Sequence, residues 1–145
     1  MGQPLRVVIA DDYELFRAEV RHDLTAAGLE VCGEADNGPG AVEEVARQAP
    51  DAALLDVGMP GDGIEAAAAI AKGDNAPTVV MLSAVGDEET FGRALDAGVR
   101  GYLLKDLDGG RIADALSRAV AGERVGPPAF LRLATLRDAT APGAR

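Results

Sequence analysis

Short apolar runs alternate along the chain with stretches whose apolar positions recur at helical spacing. "LRVVIA" (5–10) is a continuous apolar run of the buried-strand type. "YELFRAEVRHDLTAAG" (13–28) sets Phe16, Val20, Leu24 and Ala27 on one helical face, and Gly28 supplies the stop. "LEVCGEA" (29–35) reads as a second strand, and Asn37–Gly38–Pro39–Gly40 as a turn. "AVEEVARQA" (41–49) returns to helical spacing with Val42, Val45 and Ala46.

The alternation continues in the second half. "AALLDV" (52–57), "TVVMLSA" (78–84) and "RGYLLK" (100–105) read as strands three, four and five. Between and after them come helices over "IEAAAAIAK" (64–72), "DEETFGRALDAG" (87–98) and "GGRIADALSRAVAG" (109–122). The acids opening the 87–98 stretch suit the positive end of a helix dipole. In the last helix Ile112, Ala115, Leu116, Ala119 and Val120 share a face.

Five β-α units with continuously apolar strands predict a parallel sheet covered on both sides. The expected fold is α/β, a flavodoxin-like doubly wound five-stranded sheet in the order 2-1-3-4-5 with five helices. The segments share no internal repeat. After Gly126 the pattern changes, with two prolines and then "AFLRLATLRDATAPGAR". Residues 1–124 are therefore expected to form the domain. Residues 125–145 are expected to be a linker, or a short C-terminal helix or tail carrying Phe130, Leu131, Leu133 and Leu136.

Composition narrows the core. Hydrophobic residues make up 48% of the 145, but aromatics only 3%. The core must be built from Ala, Val, Leu and Ile, which favours close helix-on-sheet packing. The net charge of −10 makes this segment a poor partner for phosphate backbones, so direct nucleic-acid binding is not expected. The one cysteine, Cys32, excludes an internal disulfide and a Cys/His metal cluster, and reads as a small buried hydrophobe. No run has transmembrane length, and "MGQPLRVVIADD" has no secretory pattern, so no membrane contact and a cytoplasmic location are expected.

The candidate chemistry sits where the strands end. Asp is a poor strand former, yet Asp56 closes strand three and Asp11 and Asp12 close strand one. Ser83 closes strand four and Lys105 strand five. Open α/β sheets bind ligands at this carboxyl edge, and the expected order makes strands one and three neighbours. The three acids must then converge. At about 4 Å and an effective dielectric of about 20, each ionised pair costs about 4 kcal/mol. Such a group shares protons or holds a cation, and open oxygen ligands suit Mg²⁺. A carboxylate nucleophile, a cation and a Lys together suit phosphoryl transfer.

"IADD" (9–12), "LLDVGMPG" (54–61), "MLSA" (81–84) and "AGVRGYLLKD" (97–106) resemble the bacterial response-regulator receiver domain over about residues 4–122. "DDYELFR" and "GYLLKD" resemble especially the NarL/FixJ (LuxR-type) transcriptional regulators. The resemblance implies that Asp56 accepts a phosphoryl group from a sensor histidine kinase. It implies Mg²⁺ on Asp11, Asp12, Asp56 and the main-chain carbonyl of Gly58. It gives Ser83 and Lys105 contacts to the phosphoryl group, and makes Ser83 and Tyr102 the switch pair. The role is that of a signalling phosphoacceptor, not an enzyme: it catalyses only its own phosphorylation and dephosphorylation. A transcriptional output module would lie outside this chain, and a phosphorylation-promoted homodimer is implied. The alternative is a stand-alone receiver acting by protein contact or as a phosphorelay intermediate. A phosphatase of the haloacid-dehalogenase type needs a second Asp two residues after the first, where this chain has Gly58. His22, the only histidine, lies among polar helical residues, so a partner must supply the donor histidine.

Three positions depart from the subfamily pattern. The loop "VGMPGDGIE" is one residue shorter, so Gly63 comes early. Gly58 offers no side chain over the acceptor, and Val85 is its apolar neighbour two positions past Ser83. Asp106 follows Lys105 where many receivers have proline, so a trans bond is expected.

Overall fold

The computed structural model describes residues 2–140. The chain order is β1 (Arg6–Ala10), α1 (Glu14–Ala26), β2 (Glu30–Ala35), α2 (Gly38–Gln48), β3 (Ala52–Asp56) and α3 (Gly63–Ala71). It continues with β4 (Thr78–Ser83), α4 (Glu88–Asp96), β5 (Gly101–Leu104), α5 (Gly109–Val120) and α6 (Pro128–Thr140). The strands form one parallel sheet in the order β2-β1-β3-β4-β5, as the alternation predicted. Six helices stand where five were expected, the sixth being α6.

Successive strand residues point to opposite faces, so a buried parallel strand must be apolar on both. On one face Val8, Leu55 and Met81 pack with Ala41 of α2, Ile64 and Ile70 of α3, and Phe91 of α4. On the other, Ile9, Leu54 and Leu82 pack with Val20 and Leu24 of α1 and Ile112 and Leu116 of α5. Ala27 and Ala46, placed on apolar faces by spacing, are exposed; Ala27 is the C-cap of α1.

The stretch Asn37–Gly40, expected as a turn, is the capped start of α2. Asn37 Oδ1 accepts from Gly40 N at 2.7 Å, and Pro39 sits in the first turn, where its missing N–H costs nothing.

Beyond α5 the chain does not leave the sheet. Val125 pairs in parallel with Gly101, and Tyr102 N donates to Val125 O at 3.0 Å. Helix α6 then packs on α4, with Phe130 and Ala134 buried. Of the four apolar residues noted there, Leu131 and Leu133 are half-buried and Leu136 is exposed.

Candidate functional site

Strand register brings the acids together. Ala10 pairs with Leu55, so the next residues, Asp11 just past β1 and Asp56 at the end of β3, stand side by side at the sheet edge. One carboxylate oxygen from each of Asp11, Asp12 and Asp56 lies within 4.8 Å of the other two. Asp11 and Asp56 are buried, whereas Asp12 is exposed. Lys105 reaches the same spot from the end of β5. Its Nζ lies 2.8 Å from Asp11 Oδ2 and 3.2 Å from Asp56 Oδ1. The ammonium also stands 4.9 Å from the centroid of the Phe16 ring, a cation–π seat.

Burial, and then repulsion from Asp11, push the Asp56 carboxyl above its usual range despite Lys105. Burial works against the Lys105 ammonium, yet its pairing with Asp11 and Asp56 raises it overall. Three carboxyl groups face one ammonium at this edge of the sheet. That donor set, all hard carboxylate oxygens, fits a Mg²⁺-sized divalent cation.

Ser83 is buried at the end of β4, and its Oγ accepts from Val85 N at 3.1 Å. That bond uses a lone pair and leaves the hydroxyl proton available for donation. Tyr102 is fully buried, and its hydroxyl donates to Val85 O at 2.7 Å. Burial pushes the Tyr102 phenol up. The Ser83 and Tyr102 hydroxyls thus meet the N–H and the carbonyl of the same residue, Val85, whose side chain is exposed.

The short loop after Asp56 has a specific shape. Gly61 and Asp62 take positive φ, +84° and +60°, to turn the chain within the reduced length. A Cβ on Gly63 would stand 1.9 Å from the Asp56 carbonyl oxygen, so α3 begins hard against the acceptor's backbone and only glycine fits. Asp62 caps α3 through Ile64 N at 2.9 Å and pairs with Arg93 of α4 at 3.0 Å. Gly58 N lies 3.3 Å from Asp56 Oδ1, and a Cβ at Gly58 would meet nothing within 4 Å. Position 58 puts no side chain beside Asp56.

The other sequence readings also have places. His22 is exposed on α1. Cys32 is half-buried, and burial raises its thiol. Every described peptide bond is trans, including Lys105–Asp106. Among the described residues no helix is long and apolar enough to cross a membrane. Two residues near the site escaped sequence reading. Arg17 Nη1 donates to Asp11 O at 2.7 Å and its Nε to Glu34 Oε1 at 2.9 Å.

Residues 7–117 match the response regulator receiver domain family. NarL of Mycobacterium tuberculosis is 37% identical over 131 residues, covering 89% of this chain and 61% of that protein. The chemotaxis protein CheY of Thermotoga maritima is 35% identical over 114 residues, covering 78% of this chain and 95% of its own. The solved signal receiver domain of the M. tuberculosis NarL superposes with a TM-score of 0.81 at 37% identity, covering 84% of this chain and 100% of that one. This chain thus spans less than two thirds of the NarL protein and nearly the whole of CheY.

Proposed function

Since the chain belongs to the response regulator receiver domain family, we propose that Asp56 is its phosphoacceptor. The observation that carries this reading is the convergence of Asp11, Asp12, Asp56 and Lys105 at one sheet edge. An Asp56 carboxylate oxygen attacks the phosphorus of a phosphohistidine on a sensor kinase. The O–P bond forms as the N–P bond breaks, and the electron pair returns to the imidazole nitrogen. Asp11, Asp12, Asp56 and the Gly58 carbonyl would hold Mg²⁺, which when bound would supply positive charge against the phosphoryl oxygens. Lys105 contacts one of those oxygens, and Ser83 donates its hydroxyl proton to another. Attack of water on the acyl phosphate returns the Asp56 carboxylate and releases inorganic phosphate.

Ser83 and Tyr102 form the switch. Drawing Ser83 toward the phosphoryl group alters its hold on Val85, and Val85 O is the partner of the Tyr102 hydroxyl. Residues 1–124 act as the receiver unit, and 125–145, with α6, lead to a transcriptional output module of the NarL type. Phosphorylation promotes a homodimer in the cytoplasm. The decisive experiment is incubation with acetyl phosphate and Mg²⁺ followed by intact mass measurement. One added phosphoryl mass is expected in the wild type and none in Asp56→Asn. No gain in the wild type overturns the proposal. Size-exclusion chromatography of the same samples tests the dimer.

A further inference from the structure

Three of the polar atoms of Asp11 are hydrogen-bonded, and the fourth, Oδ2, has only an ion pair. Its N–H donates to Ala35 O at 3.0 Å, and its Oδ1 accepts from Tyr13 N at 2.9 Å. Its Oδ2 meets Lys105 Nζ at 2.8 Å, and its carbonyl accepts from Arg17 Nη1 at 2.7 Å. Arg17 is the side chain that fixes the backbone between Asp11 and Asp12. It is itself fixed, because its Nε donates to Glu34 on β2, and Glu34 also accepts from Arg21 Nη1 at 2.8 Å. The Arg17 side chain is only 18% exposed, so the bond to the Asp11 carbonyl forms where water competes poorly.

Resting on the metal-dependent reading of the acidic pocket, we propose that Arg17 is a positioning residue for the cation site. Through Glu34 it clamps the β1–α1 loop, so that the Asp11 and Asp12 carboxylates face Asp56 before a cation arrives. Three mutually repelling acids drift apart unless their backbones are held, and outer partners of this kind hold metal ligands in place elsewhere. Arg17 does this without facing the cation. Its charge is directed at a carbonyl and offset by Glu34, so it does not oppose the incoming ion. Arg21 supplies a natural control, because it shares Glu34 but does not touch Asp11.

The test is calorimetric titration of the whole chain with Mg²⁺, alongside acetyl phosphate labelling at varied Mg²⁺. Arg17→Gln is expected to weaken Mg²⁺ binding roughly tenfold, the lower end for loss of an outer-sphere partner. Saturating Mg²⁺ is expected to restore most of its labelling rate. Arg17→Lys, which keeps one donor, is expected to fall between, and Arg21→Gln to bind as the wild type does. Wild-type Mg²⁺ affinity in Arg17→Gln overturns the inference and leaves the acceptor reading standing. Equal weakening in Arg21→Gln also overturns it, since loss of a helix charge would then account for the effect. Failure of the wild type to bind Mg²⁺ overturns both.

Discussion

At the carboxyl ends of β1 and β3, four charged side chains share one pocket: Asp11, Asp12, Asp56 and Lys105. Beyond β5, three of the chain's five aromatic rings share one contact. Phe91 meets Tyr102 edge-on at 4.7 Å and Phe130 at 5.7 Å, and Tyr102 lies 5.8 Å from Phe130. The first region is under electrostatic tension, with the Asp56 carboxyl pushed up by burial and by Asp11. The second is apolar and closed, with all three rings nearly or fully buried. The aromatic contact adds buried apolar packing to the core, and the acids gather charge at the sheet edge. Val85 lies between them, holding Ser83 Oγ with its N–H and accepting from the Tyr102 hydroxyl. Under the proposed switch, a movement of Ser83 would be passed by Val85 to the Tyr102 hydroxyl, and Tyr102 touches Phe130 of α6.

The comparison breaks most visibly at Phe130. Phe130→Ala empties the space between α6 and the sheet and is expected to cost about 3–5 kcal/mol in urea unfolding. Acetyl phosphate labelling of the folded variant is expected to persist, because Phe130 touches none of the acids. Loss of labelling in the folded variant would mean that the two regions are one unit.

At the acidic end the expected effect is smaller and depends on the ion. Mg²⁺ at about 100 times its dissociation constant should stabilise the wild type by about 2.7 kcal/mol, read as a rise in unfolding midpoint. Asp11→Asn should lose most of that gain. Tyr102→Phe sharpens the link between the regions. It keeps the ring contacts and removes the bond to Val85 O, for an expected cost of about 1 kcal/mol.

The smallest effect concerns pH in chelator-treated protein. Asp56 is raised on folding, so the folded state binds its proton more tightly than the unfolded state does. Its contribution to stability is then fully present below the unfolded carboxyl pKa and is lost as pH rises through the raised one. Asp56→Asn should remove that fall and leave the neutral-pH midpoint slightly higher than in the metal-free wild type. Denaturation curves across the acidic range would check it.

The acidic end was the more legible of the two. Asp11, Asp56, Ser83 and Lys105 each follow an apolar run directly, and the β-α alternation alone set β1 beside β3. Sequence spacing did not reveal Arg17. Its partners are a carbonyl and a glutamate 17 residues away, and neither marks the local pattern. The aromatic end was harder to read. Spacing reads the stretch with Phe130 equally as a short helix or a tail, because its partners, Phe91 and Tyr102, are distant in the chain. The start of α2 was misread because glycine and proline mark turns and capped helix starts alike. The length of the loop after Asp56 does not state how it folds back, and that path leaves no room for a Cβ at Gly63 beside the Asp56 carbonyl.

The central claim is that the strained acid of the pocket, Asp56, is the one that takes the phosphoryl group. Borohydride reduction of acetyl phosphate-treated protein, followed by peptide mapping, tests it most directly, because an acyl phosphate is reduced at its own residue. The account predicts reduction at Asp56 alone, dependent on Mg²⁺ and absent from Asp56→Asn. Reduction at Asp11 or Asp12, or the same yield at Asp56 in chelator, would contradict it.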